Sequence, residues 1–107
     1  MENLEKSREI LRLREKLGIK ILWVYILSLL RKEPAHAYIL RQKIMDEFGF
    51  LPGNVSVYVV LYKLHSRGFV ATKGEENRVV YTITEKGKKL LALAEKELKE
   101  KEKLLFG

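Results

Sequence analysis

"SVYVVLYKLHSRGFV", Ser56 to Val70, reads as a helix running into a strand. On a helix of about 3.6 residues per turn, Val57, Val60, Leu61 and Leu64 complete one apolar stripe, and Val55, Val59 and Tyr62 are left on the opposite side. A helix that packs on one core needs no second apolar face. Val55, Val59 and Tyr62, with Lys63 beside them, therefore mark a surface that another molecule covers.

The flanking sequence places this helix. "FLPGN", Phe50 to Asn54, is turn chemistry, and Asn54 is predicted to cap a helix that opens at Val55. Upstream, Ala37, Leu40, Ile44 and Phe48 form a stripe that stops at Gly49, with Tyr38, Arg41 and Gln42 pointing elsewhere. Ile19 to Lys32 is apolar nearly all round, as expected of a central helix; Arg31 and Lys32 suit its negative end and Pro34 prevents continuation. Leu4, Ile10, Leu13 and Leu17, set among Arg8, Arg12, Arg14 and Lys16, predict a basic amphipathic first helix closed by Gly18. Downstream, the helix ends at Arg67 and Gly68. "FVATK" and "RVVYTIT" then alternate as strands around the turn formers "GEEN", with Val79, Tyr81 and Ile83 on one face. Thr84 is an N-cap candidate for a last helix from Glu85 to Leu105, which carries Leu91, Ala94, Leu98 and Leu105 at heptad-like intervals.

Helix, helix, helix, helix, hairpin, helix is a mainly α fold with a small β-hairpin: a winged helix-turn-helix with additional N- and C-terminal helices. The expected divisions are residues 1–18 for the first amphipathic helix, 19–84 for the winged helix-turn-helix, and 85–107 for a dimerisation helix. In such a fold the helix around Ser56 to Arg67 enters the major groove of double-stranded DNA, and the hairpin lies along the neighbouring backbone.

Twenty-one Lys and Arg against fourteen Asp and Glu give a net charge of +7, which suits a polyanion. The chain is 107 residues long, a single domain near the size at which partner chains complete the core. The long apolar run, Ile21 to Leu30, is too short to span a bilayer, so the expectation is a soluble, cytoplasmic protein without a membrane partner. With no cysteine there is no disulfide, thiol nucleophile or cysteine-bound zinc. His36 and His65 lack the spacing and company of a metal or catalytic site, and no phosphate loop, paired carboxylates or nucleophile with a base is present. No cofactor, metal or enzyme activity is expected. A single Gln, three Asn and two Met resemble the usage of proteins from hot environments.

The quoted motifs carry a family likeness: the chain resembles the PadR-like family of winged-helix transcriptional regulators. "PAHAYIL", Pro34 to Leu40, is similar to that family's P-x-H-G-Y-x-L. The stretch from Ser56 to Val70 is similar to T-L-Y-P-A-L-x-x-L-x-x-x-G-L-V, and "VYTITEKG", Val80 to Gly87, to Y-Y-x-L-T-x-x-G. Ala37 stands where the family usually has Gly and Val59 where it often has Pro, and the wing tip carries Glu75 and Glu76 instead of basic residues. The resemblance implies repression through an inverted-repeat operator by a homodimer, with the last helix supplying much of the interface. Some regulators of the family bind flat aromatic ligands between subunits, so a small-molecule effector is left open with Trp23 as its candidate contact. A lone Trp in an apolar helix is more often core or interface.

Candidate DNA contacts are Ser56, Tyr58, Val59, Tyr62 and Lys63 on the reading helix with Asn54 at its start, Tyr38 and Arg41 on the preceding helix, and Lys73 and Arg78 on the wing. Lysine reaches a guanine edge or a phosphate, Tyr and Ser hydroxyls donate to phosphates, and valine packs on a thymine methyl. Leu13, Leu17, Leu91, Ala94, Leu98 and Leu105 are the candidate dimer interface, since one small winged helix cannot bury them all. Two rival functions remain: a winged helix used for protein contacts, and a chromatin-type protein that coats DNA with little sequence preference.

Overall fold

The core forms around the helix Leu22–Lys32 (α2), which buries Leu22, Ile26, Leu27, Leu29 and Leu30. In the computed structural model, which describes residues 2–107, this helix is packed on several sides. Ala37–Phe48 (α3) contributes Leu40 and Ile44, Asn54–Ser66 (α4) contributes Val57, Leu61 and Leu64, and Glu85–Phe106 (α5) contributes Leu91. Burying each such aliphatic side chain is worth about 1.5–3 kcal/mol, which is why the stripes of three helices converge on one apolar hub. Ahead of α2 come a 3-10 turn at Leu4–Lys6, the helix Arg8–Leu17 (α1) and a second 3-10 turn at Ile19–Ile21.

Val70–Glu75 (β1) and Arg78–Ile83 (β2) form an antiparallel hairpin, with Val70 opposite Ile83 and Glu75 opposite Arg78. Strand β1 thus runs two residues into the predicted "GEEN" turn. The loop is the pair Glu76 and Asn77, both at positive φ (44° and 65°), the backbone of a mirror-image two-residue turn. Ala35 adds a bridge to the other edge of β2, donating to Tyr81 O at 3.1 Å and accepting from Tyr81 N at 2.9 Å.

The predicted element order and the mainly helical class are those of the structure. Three local expectations need correction. The first helix breaks at Ser7, whose Oγ accepts from Ile10 N at 3.3 Å and so starts α1 afresh, leaving Leu4 in a separate turn. Helix α4 begins at Asn54, with extended Gly53 in the cap position and no side-chain cap; Asn54 is a helical residue and not the cap. Finally, Leu91 and Ala94 lie in this chain's own seam between α5 and α2. They are not free for a partner; the heptad-like pattern divides there, and Leu98 and Leu105 beyond it stay exposed.

Candidate nucleic-acid interface

Two faces of α4 have opposite fates. Val57 and Leu61 are 1% and 0% exposed, whereas Val55, Tyr58, Val59 and Tyr62 are 75%, 57%, 44% and 73% exposed. The second apolar face inferred from the sequence is therefore uncovered. Asn54 and Lys63 are exposed beside it, while Ser56 turns to the flank and is half-buried against the Ile19 turn.

Arg41 fixes the start of this helix. Its Nε donates to Pro52 O at 2.7 Å, tying α3 to the turn that feeds α4, and with Tyr38, Asn54 and Tyr58 it lines a recess between the two helices. Tyr38, 69% exposed on the first turn of α3, stands free above it. Of the expected contact residues, Tyr38, Arg41, Asn54 and Tyr58 thus come together near the starts of the two helices, where unpaired backbone N–H groups favour an anion, whereas Tyr62 and Lys63 lie toward the far end of α4.

The wing is held to the same place. His36, for which the sequence offered neither metal nor catalytic company, donates from Nδ1 to Val79 O at 3.1 Å, and the Ala35–Tyr81 bridge lies one residue earlier. A carbonyl only accepts, so Nδ1 carries the proton of this bond. Between α3, α4 and β2 lies a cavity of about 520 Å³ lined by His36, Tyr38, Tyr58, Arg78 and Tyr81 among others. Burial, with Tyr58 adding to it, raises the Tyr81 phenol above its usual pKa.

Lys73 and Arg78 share the hairpin face turned away from Tyr81 and Ile83. Among the described residues the ion pairs are Lys43–Glu33, Lys88–Glu85 and Lys99–Glu95, so neither wing cation is neutralised by Glu75 or Glu76, and Lys63 is unpaired as well. Trp23 is half-buried at the rim of an apolar cavity of about 290 Å³ between α2 and α5, together with Leu90, Leu93 and Leu98. Among the described residues no His, Cys, Asp and Glu cluster could hold a metal ion, and no helix is long and apolar enough to cross a membrane.

An outward-facing α4, set between the N-terminus of α3 and a clamped hairpin with unpaired cations, defines the winged-helix class of DNA-binding fold. Within that class the chain belongs to the PadR-like family of transcriptional regulators, whose family model matches residues 26–93. Family members are DNA-binding regulators and not enzymes. A transcriptional regulator from Thermoplasma acidophilum is 31% identical, covering 86% of this chain and 91% of its own, with a TM-score of 0.73. Bacillus subtilis PadR, solved in complex with operator DNA, is 29% identical over 68% of this chain and 44% of its own, with a TM-score of 0.61. A Clostridium thermocellum regulator shares the fold at 22% identity, covering 92% of this chain and 93% of its own, with a TM-score of 0.74. No curated protein matches the chain.

Proposed function

We propose that the chain is a sequence-specific DNA-binding regulator that acts as a repressor, docking as a homodimer on an inverted-repeat operator. The observation that carries this reading is the uncovered outer face of α4, whose Val55, Tyr58, Val59 and Tyr62 serve no core of this chain. Tyr38, Arg41, Lys63, Lys73 and Arg78 take phosphates around it, and the operator complex of Bacillus subtilis PadR supports DNA binding by kinship. Homodimerisation is supported by α1, which buries no residue, and by exposed Leu13, Leu17, Leu98 and Leu105. An isolated ten-residue helix is marginal in water, so α1 needs a partner surface.

The test is binding to random and to selected duplex over a salt series. Log affinity should fall with log salt by about 0.9 per phosphate neutralised, and selection should enrich an inverted repeat. A flat salt response returns the outer face of α4 to a protein partner. Steep salt dependence without enrichment favours a DNA-coating protein.

A further inference from the structure

The outward face of α4 is unusual in what it lacks. Its first two turns, the part of a recognition helix that meets base edges, present Asn54, Val55, Tyr58 and Val59, with Tyr62 just beyond. No arginine, glutamine or lysine lies among them, and Lys63 comes a turn later. The side chains that take guanine bidentately are thus missing from the reading end.

In their place are two exposed β-branched residues. Valine is a poorer helix former than alanine, and an exposed valine gains nothing from water, so Val55 and Val59 weaken the free helix. They are not isolated either. With Ile19, Leu22 and Val60 they line a shallow recess that is apolar apart from Ser56. Exposed Lys20 follows Ile19 in the chain and exposed Lys63 comes one turn of α4 after Val59, and neither is in an ion pair among the described residues. A small apolar socket on the exposed face of a reading helix fits one feature of duplex DNA, the thymine C5 methyl projecting into the major groove.

Resting on the DNA-binding reading, we infer that Val55 and Val59 are specificity-determining residues that recognise thymine methyl groups, so that the centre of each half-site is read as A·T pairs by apolar contact and not by bidentate hydrogen bonds to guanine. Tyr58 and Tyr62 stand exposed on the same helix beside them and add ring contact to the methyls. Asn54 is the one amide placed to read an adenine edge.

Deoxyuridine provides the test, because it pairs as thymidine does and leaves the phosphates unchanged while removing only the methyl. Duplexes are selected from a random pool with the full chain, and the recovered sequence is resynthesised with deoxyuridine in place of each half-site thymidine in turn. Loss of about fourfold in affinity per critical methyl is expected, with no change in salt dependence. Val59→Ala and Val55→Ala, at exposed positions where alanine favours the helix, should lose affinity for the thymine duplex and bind the deoxyuridine duplex as the unmodified chain does. Equal binding of both duplexes by the unmodified chain, or equal losses on both by the valine variants, overturns methyl reading while DNA binding stands. Recovery of no duplex at all overturns the DNA-binding reading on which it rests.

Discussion

Tyr62 stands on a helix that already has its full core stripe, so removing its ring deletes contact with the partner and little else. Tyr62→Ala should cost about 1–3 kcal/mol on the selected site and leave random duplex binding unchanged, measured by competition. Arg78→Ala should behave differently. A phosphate contact is blind to sequence, so affinity for every duplex should drop alike and the salt slope should fall by about 1. Glu76 presents a third case, with its backbone at φ 44°, a region that disfavours every side chain but those of Asn and Asp. Glu76→Gly should stabilise the hairpin by about 1 kcal/mol, seen as a higher Tm, and should strengthen non-specific binding by removing an acidic charge from the wing tip. A lower Tm would mean that the turn does not carry this strain.

At the scale of the elements, the joint between wing and last helix is held by Thr84 and Gly87. Thr84 Oγ1 accepts from Gly87 N at 3.0 Å and donates to Gly68 O at 2.7 Å, capping α5 while tying it to the end of α4. A Cβ on Gly87 would stand 2.1 Å from Phe69 O and 2.8 Å from Ile83 Cγ1. Gly87→Ala must therefore push α5 off the hairpin, at a cost of about 1–3 kcal/mol in thermal or denaturant unfolding. The Thr84 cap was legible because a threonine just ahead of a helix has a one-residue reason to be there, whereas the close approach of Gly87 to Phe69 and Ile83 was not. The cap of α4 was not: whether Gly53 or Asn54 takes that position depends on backbone angles, which residue type alone does not fix. The clamp from His36 to Val79 was equally hidden, since it joins residues 43 apart in the chain. The second face of α4 was readable because periodicity places a side chain without knowledge of its partners.

The whole molecule measures 55 × 27 × 21 Å, an elongation that comes from elements with little to pack against. Helix α5 runs for 22 residues, and its buried residues, Gly87, Leu91 and Ala94, all lie in the first half. Sequence periodicity showed a repeat too long for one small domain but not where the domain's claim on it ended; that boundary falls between Ala94 and Leu98. In the proposed dimer, exposed Leu98 meets the other protomer. Leu98→Glu, at a position 45% exposed in the single chain, should leave the winged helix folded by circular dichroism, shift sedimentation to the monomer and remove most of the operator affinity. A variant that remains dimeric and binds normally would place the interface elsewhere, with α1 and its Leu13 and Leu17 the first surface to examine. Whether two copies present two reading helices to one face of DNA is decided by a hydroxyl-radical footprint on the selected duplex. Two symmetric protected segments are expected, with centres about 34–36 Å or a multiple of that apart, that fade together as salt rises. A single protected segment without symmetry, or protection spreading continuously along the duplex, would contradict that arrangement.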